Sequence, residues 1–264
     1  MRIRLGPAGI PTAAKGILNG IETVSKLGLA AMEVEFVRGV NMGMPLAKEA
    51  GQLAERLDVS LSVHAPYYIN LCNPQKVFDS EKRILDSCLR ATELKASPVA
   101  FHPGFYGNLE KEEAFEMVLE SCARMAKHLK DSKQNVHMGL ETTGKLSQFG
   151  SLEETIEICK AVKGCVPVVD FSHIYARNGG SINYQEIFSA LEELKLAELH
   201  CHFSGIEFSD SGERRHVPMD EAGPDFSELA KEMVKRKISA TIICESPLLE
   251  KDALKMKGIL EDIL

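Results

Sequence analysis

Six short segments of the chain each end an apolar run with a histidine or a carboxylate. The residues at these ends are His64, His102, Glu141, Asp170, His202 and Glu245. Successive ends lie roughly 30 to 45 residues apart, which is the length of one strand, one helix and two loops. Imidazole nitrogens and carboxylate oxygens are common ligands of divalent metal ions. If the strand ends share one rim, the pattern predicts a site for more than one divalent ion.

Eight apolar strand candidates alternate with helical patterns, which indicates a parallel sheet. The strands are predicted near residues 2–6, 31–37, 61–65, 98–102, 136–141, 166–171, 197–203 and 240–245. Pro45 falls in the first turn of one helical pattern, and Ser151 with Glu154 forms a capping box that opens another. A chain of 264 residues with eight strands and no linker-like segment predicts one domain over residues 1–264. The expected fold is an α/β single (β/α)8 TIM barrel, with the metal site at the C-terminal rim of the strands.

Composition restricts the classes of protein to consider. The net charge of -7 argues against holding nucleic acid by bulk electrostatics, although bound metal could supply positive charge to a DNA enzyme. The seven cysteines include no CxxC pair, which argues against a disulfide framework or a cysteine zinc site. No apolar run reaches the length of a signal peptide or a membrane span, so a cytoplasmic protein without a membrane partner is expected. No protein partner is implied.

The remaining histidines are weaker candidates. His128 lies in a helical pattern and His137 opens a strand, so both are interpreted as surface or packing residues. His200 is on the same strand face as His202 and could either support that ligand or be a core histidine, and we favour the core interpretation. The longest irregular stretch is predicted at residues 204–224, which follow the seventh strand. Long loops in compact domains are usually functional.

The ligand motifs together resemble those of the endonuclease IV family, zinc-dependent apurinic/apyrimidinic endonucleases of the xylose-isomerase-like barrel superfamily. The matching segments are HAPYYINL at 64–71, FHPG at 101–104, LET at 140–142, VVDFSH at 168–173, HFSG at 202–205 and CESP at 244–247. The resemblance implies a cluster of two or three Zn²⁺ ions, with Mn²⁺ possible. It assigns the first ion to His64, His102 and Glu141, the second to Glu141, Asp170, His202 and Glu245, and the third to His173.

The third ion is where the chain departs from the family. The family has an Asp-x-His pair after strand seven, whereas this chain has Glu213-Arg214-Arg215-His216. His216 is the only histidine of the 204–224 stretch, so we expect His173 and His216 to share the third ion, with Glu213 as a possible further ligand. Because a loop must become ordered to supply these ligands, this ion is expected to bind more weakly than the others.

Substrate contacts are expected around the same rim. By resemblance, Tyr67 and Tyr68 lie where the family inserts side chains into a kinked duplex, although they could equally be loop aromatics that cover the barrel mouth. Arg38 is the one obvious phosphate contact after strand two. Arg214 and Arg215 could also pair with phosphates, and are as readily interpreted as a solvated charge pair.

The ligand set favours phosphodiester hydrolysis, because water shared between two divalent ions is a nucleophile at neutral pH. By resemblance, the expected activity is that of a metal-dependent phosphodiesterase acting on DNA, which cuts 5′ of abasic sites in base excision repair with Glu141 as the catalytic, bridging carboxylate. The alternative is a sugar isomerase or epimerase of the same superfamily. Four histidines favour zinc and hydrolysis, a carboxylate-rich site would favour Mn²⁺ or Mg²⁺, and no convincing rim lysine is available as an isomerase acid or base. A non-catalytic metal-binding barrel is a third possibility.

Overall fold

The computed structural model describes residues 1–264 as a regular alternation of strands and helices. The strands are β1 Ile3–Pro7, β2 Ala31–Glu35, β3 Ser60–His64, β4 Val99–Phe101, β5 Gly104–Phe105, β6 Met138–Glu141, β7 Gln148–Phe149, β8 Cys165–Asp170, β9 Leu199–Phe203, β10 Gly205–Ser209, β11 Gly212–Val217 and β12 Ala240–Cys244. The helices are α1 Gly16–Lys26, α2 Met44–Arg56, α3 Val77–Leu94, α4 Lys111–Asp131, α5 Leu152–Ala161, α6 Phe171–Arg177, α7 Tyr184–Leu191, α8 Phe226–Arg236 and α9 Glu250–Ile263, with a 3₁₀ turn at Glu192–Leu194. A membrane span would need a longer or more apolar helix than any of these nine.

Eight of the strands form one parallel sheet in the order β1-β12-β9-β8-β6-β4-β3-β2. The sheet curves so that its two end strands, β1 and β2, meet and form a nearly closed barrel. Ala8, just after β1, pairs with Glu33 of β2 in a parallel bridge. The helices pack against the strands and against one another. The predicted (β/α)8 TIM barrel is therefore confirmed, and the eight predicted strands are all present with ends shifted by at most two residues.

A close backbone approach joins β1 to β2. A Cβ atom placed on Gly6 would lie 1.6 Å from the carbonyl oxygen of Ala31, so no residue with a side chain fits there without moving a strand. On either side of this contact, Ala30 N donates to Leu5 O and Gly9 N donates to Glu33 O. Glycine at position 6 therefore lets the first two strands meet and brings the side chains of β2 to the barrel rim.

Local sequence signals explain where the helices near the site begin. The capping box of α5 is present, with Ser151 Oγ accepting from Glu154 N and Glu154 Oε2 accepting from Ser151 N. Helix α6 follows β8 without a loop, and Asp170 caps it by accepting a 2.6 Å hydrogen bond from His173 N. This cap sets Asp170 and His173 side by side at the end of β8.

The stretch predicted as an irregular loop at residues 204–224 is instead largely a β-hairpin. Strands β10 and β11 pair in antiparallel register around a tight turn that ends at Gly212, whose φ is 93°. Glu213 N donates to Gly144 O at 3.0 Å, which attaches the hairpin to the loop after β6. The expectation of a loop was wrong because these strands are partly exposed and polar, so they lack the apolar run that identifies a buried strand. Because the hairpin is already ordered, His216 and Glu213 need no ordering of a loop before they can bind metal.

Substituting Gly6 by Ala is expected to lower the free energy of unfolding by about 1–3 kcal/mol or more, because the added methyl group collides with the backbone of β2. Urea denaturation would measure the change. Gly258 of α9 is the matched control, since an added Cβ there meets nothing within 4 Å. Alanine at that position is expected to be neutral or to stabilise the protein by up to about 1 kcal/mol. Equal stability of the two variants would contradict the role given to Gly6.

Candidate metal centre

The barrel brings the six predicted strand-end residues to one rim. Three are the last residues of β3, β6 and β8, and one is the penultimate residue of β9. The other two directly follow β4 and β12. Five of them are buried or nearly so, and His102 is partly exposed at the mouth. A cavity of about 510 Å³ opens above the cluster. The side chains that line it include His64, His102, His173, His216 and Glu245.

Around the cavity, three of the four groups whose ligand atoms lie within 4.8 Å of one another share carboxylates. The first flanking group is His64, His102 and Glu141, the central group is Glu141, Asp170, His202 and Glu245, and the second flanking group is Asp170, His173, His216 and Glu245. Glu141 belongs to two of these groups, and so do Asp170 and Glu245. Carboxylates have two oxygens and can bridge neighbouring ions, so the overlap suits ions held side by side.

Backbone carbonyls orient two of the histidines. His64 Nδ1 donates to Ala65 O at 2.8 Å, and His64 Nε2 lies 3.0 Å from Glu141 Oε2. His173 Nδ1 donates to Thr142 O at 2.9 Å. A hydrogen bond of this kind fixes the tautomer, because the nitrogen that donates carries the proton. In both rings Nε2 is therefore the nitrogen available to a metal.

The hairpin contributes the remaining predicted ligands. His216 Nδ1 lies 2.6 Å from Ser204 Oγ, and its Nε2 lies 3.4 Å from Glu245 Oε2. Glu213 Oε2 is 3.5 Å from His173 Nε2. The structure thus places His216 and Glu213 beside His173, as the sequence predicted, although Asp170 and Glu245 also reach the same place.

The residues present fit divalent ions. Asp170 Oδ2 and His173 Nε2 are both buried and have no hydrogen-bond partner. Buried polar atoms without partners are rare in folded proteins because each loses its hydration without compensation. A cation between these two atoms would satisfy both. The donor set of imidazoles and carboxylates is the one that Zn²⁺ and Mn²⁺ take.

A carboxylate that the sequence did not reveal supports the centre from below. Glu33 of β2 is fully buried, and its Oε1 lies 3.0 Å from Nε2 of His202. Its Oε2 accepts from Ser62 Oγ at 2.6 Å and lies 3.2 Å from Nε2 of His200. His200 is therefore a buried histidine with a hydrogen-bonding partner, as the favoured interpretation holds, and that partner, Glu33, also contacts the predicted ligand His202. With Nε2 directed to Glu33, His202 presents Nδ1 to the central group, 3.1 Å from Glu245 Oε1.

Burial and opposite charge perturb the pKa values of the cluster in different directions. Burial raises the pKa of Asp170 to about 6. For Glu141, burial alone would raise the pKa, but the charges of His102 and His202 hold it well below its usual range. Burial disfavours a charged His64, but the hydrogen bond to Glu141 and nearby carboxylates outweigh it and raise the pKa of His64 to about 10. In the metal-free protein, protons on the histidines therefore balance the buried carboxylates.

Two further residues of the cavity wall were missed by sequence reasoning. Glu35 ends β2 and is partly buried, with its Oε1 inaccessible to solvent, and desolvation of the carboxyl group raises its pKa to about 8. Alternation along β2 could have revealed it, since residues 33 and 35 share one strand face. Lys145 also lines the cavity and is the only lysine or arginine that does so. The conclusion that no lysine lies at the rim was therefore wrong, because Lys145 follows β6 in a segment without a strand or helix signal.

The structure places the predicted substrate-binding residues at different distances from the cavity. Tyr67 is 57% exposed and lines the cavity, whereas Tyr68 is 65% exposed and does not line it. Arg38 borders a neighbouring cavity, which Glu35 also lines. Arg214 and Arg215 lie on β11 outside the cavity wall, and Arg215 pairs with Glu207 at 2.7 Å. Their binding of substrate remains a prediction.

Substituting Glu33 by Gln is expected to weaken Zn²⁺ binding by about 10- to 100-fold, because His202 loses the carboxylate that orients it. Competition against a chelating dye would measure the affinity, and circular dichroism would check the fold. Glu198 is the matched control, since it is an exposed carboxylate just before β9 at the far end of the barrel. Glu198→Gln is expected to bind as the unmodified protein does. Equal Zn²⁺ affinities of the unmodified protein and both variants would show that Glu33 does not support metal binding.

Metal affinity is expected to rise with pH. Because the pKa of His64 is raised to about 10, its ring is protonated at neutral pH without metal, and a metal ion must displace that proton. At pH values below that pKa, each proton that the metal displaces makes the affinity rise by up to about tenfold for each unit of increasing pH. Calorimetric titration with Zn²⁺ at about pH 6 and about pH 8, in buffers of different ionisation enthalpy, reports both affinity and proton release. A pH-independent affinity without proton release would contradict this expectation.

Comparison with known proteins agrees with the architecture. A family model described as a xylose isomerase-like TIM barrel matches residues 21–261. An uncharacterized protein of Methanocaldococcus jannaschii is 37% identical over 259 residues, which cover 94% of this chain and 93% of that protein. A probable endonuclease 4 of Mycoplasmopsis pulmonis is 29% identical over 201 residues, which cover 72% of this chain and 70% of that protein. The resemblance to endonuclease IV seen in the motifs is thereby confirmed.

Solved structures show the same fold at low sequence identity. A D-tagatose 3-epimerase-like protein matches with a TM-score of 0.77 and 20% identity, over 100% of this chain and 97% of that one. An AP endonuclease of family 2 from Brucella melitensis matches with a TM-score of 0.68 and 11% identity, over 93% of this chain and 92% of that one. At these identities the likeness concerns the fold alone. The barrel, its rim of histidines and carboxylates and the family match lead to one conclusion: this chain belongs to the family of xylose isomerase-like TIM barrels.

Proposed function

We propose that this chain is a metal-dependent phosphodiesterase that cleaves DNA on the 5′ side of abasic sites. The observation that carries the proposal is the overlap of the three ligand groups through Glu141, Asp170 and Glu245. Single-ion chemistry would need only one of these groups. Neighbouring ions suit phosphodiester hydrolysis, because both the attacking and the leaving oxygen must be stabilised. Relatives named as probable endonuclease 4 add support.

The ions would be held by the first flanking, central and second flanking groups. When bound, they would activate water and neutralise the charge of the phosphate. Glu141 lies between the first two groups, where it contacts His64 at 3.0 Å and His102 at 3.1 Å. Its role in the proposal is to keep these rings directed at the reacting centre, and a fully buried carboxylate with four histidine neighbours has little freedom to move.

The cavity wall offers further contacts to a nucleotide. Lys145 lines the cavity with His173 and Glu213 and makes no ion pair, so in the proposal its ammonium group binds a phosphate oxygen. Tyr67 and Phe105 are exposed aromatic side chains on the same wall. Aromatic rings at such a rim can stack on nucleobases. Because the net charge of the chain is -7, attraction of a phosphate would depend on local positive charge such as that of Lys145.

Sugar epimerisation is the second candidate, and the structure provides one observation in its favour. Glu35 adds a carboxyl group to the cavity wall, and Glu33 adds another beneath it. A carboxylate-rich site favours Mn²⁺ or Mg²⁺ over Zn²⁺. Lys145 also supplies the rim lysine that an isomerase could use. Solved relatives of the fold include a D-tagatose 3-epimerase-like protein.

Incision of an abasic-site duplex is the experiment that tests the proposal. The purified chain, loaded with Zn²⁺ or Mn²⁺, is expected to cut 5′ of the lesion and leave a 3′-hydroxyl, which gel electrophoresis of labelled strands resolves. Glu141→Gln is expected to lower the rate by about 100-fold or more, because a shared charge at the centre is lost. Glu198→Gln, at the far end of the barrel, serves as a control with unchanged rate. A metal-loaded protein that leaves the duplex intact but interconverts ketoses would overturn the proposal in favour of the second candidate.

A further inference from the structure

The carboxyl group of Glu35 has no partner within the protein. Glu35 is the last residue of β2 and stands beside His64 in the parallel register of β2 and β3. Its Oε1 is buried and receives no hydrogen bond, and the residue takes part in no ion pair and in none of the three ligand groups. The closest atom to a Cβ built on Gly9 is the Cγ of Glu35, at 3.7 Å, so the chain at Gly9 packs beside the Glu35 side chain.

A buried carboxyl oxygen without a donor destabilises the protein unless something else binds it. Glu35 lines the rim cavity together with His64, Tyr67 and Glu245, and it also borders the neighbouring cavity at Arg38. A ligand in the cavity is therefore the available source of a donor. A phosphate oxygen is itself an acceptor, so the side of the substrate that faces Glu35 should carry a hydroxyl group. A carboxyl group accepts a hydrogen bond from a hydroxyl in either protonation state.

A cationic residue, Lys145, lies elsewhere on the same cavity wall. Lys145 follows β6, and two strands, β3 and β4, separate β6 from β2 around the barrel. The cavity therefore has a cationic side at Lys145 and a carboxyl side at Glu35, with the first flanking group between them along the rim. A sugar phosphate that directs its phosphate towards Lys145 would direct its ring towards Glu35.

We infer that Glu35 is a specificity-determining residue that accepts a hydrogen bond from a sugar hydroxyl of the substrate. The inference rests on the proposed function, and within it the hydroxyl is the one at C1′ of the abasic deoxyribose. An intact nucleotide carries a base at C1′ and has no hydroxyl there. Glu35 thus selects the lesion by a group that only the lesion possesses, in addition to the space that the missing base leaves.

Two DNA substrates that differ by this one hydroxyl test the inference. A freshly generated abasic site has the C1′ hydroxyl, and its tetrahydrofuran analogue lacks it. The wild-type chain is expected to favour the abasic site in kcat/KM by about 10- to 100-fold, the range for a buried hydrogen bond to a carboxyl group. Glu35→Met, of similar size, should bring the ratio close to one while the rate on the analogue stays the same. Glu35→Gln keeps an acceptor and should retain part of the preference.

Other outcomes overturn the inference in distinguishable ways. If Glu35→Met keeps the wild-type preference for the abasic site, Glu35 does not contact the hydroxyl. If Glu35→Met loses kcat/KM equally on both substrates, Glu35 contacts phosphate or metal instead, and the inference is also wrong. If the wild type cuts neither duplex, the proposed function fails. Calorimetric binding of 2-deoxyribose 5-phosphate and of its 1-deoxy analogue then tests Glu35 separately. Loss of discrimination in Glu35→Met would support the hydroxyl contact, and unchanged discrimination would refute it. Metal content and circular dichroism confirm that each variant is folded and loaded.

Discussion

The buried carboxylate of Glu141 is the interaction on which the rest of the rim depends. Its two oxygens contact rings from four separate elements, at 3.0 Å for His64, 3.1 Å for His102, 3.3 Å for His202 and 3.4 Å for His173. A charge with no exposure is stable only when opposite charge surrounds it. Protons on His64, His173 and His202, whose pKa values are raised, provide that charge in the metal-free chain, and divalent ions would provide it in the loaded one. The same electrostatic requirement therefore gathers the ligands before metal arrives.

The surrounding fold limits how far these rings can move. Below the centre, Glu33 contacts His202 and ties β2 to β9 across the barrel interior. Above it, the hairpin of β10 and β11 is attached so closely that a Cβ on Gly212 would lie 2.2 Å from the carbonyl oxygen of Gly144. Glu213 follows directly and reaches His173. A site held on both sides in this way keeps its geometry with little loss of entropy when metal binds.

One barrel serves different reactions in this family, because the strands position the rim and the side chains on the rim decide the chemistry. The central group alone would suit one ion, and the two flanking groups extend it towards several. The cavity wall adds a lysine on one side and a carboxyl group on the other. In the proposed function these additions would contact a sugar phosphate, and they lie on different strands from most of the ligands.

The sequence by itself determined the eight strands, the capping box of α5 and the ligands at the strand ends, because periodicity and capping are local properties of the chain. Convergence at one rim could be predicted too, since parallel strands in a barrel end on the same side. Only the tertiary structure revealed that Glu33 supports His202 and that Glu35 faces the cavity without a partner. A carboxylate in an apolar strand can be predicted to be buried, but its partners come from strands that are distant in sequence. The hairpin and Lys145 were likewise decided by packing, because their polar residues carry no local signal and acquire a position only through contacts with the loop after β6.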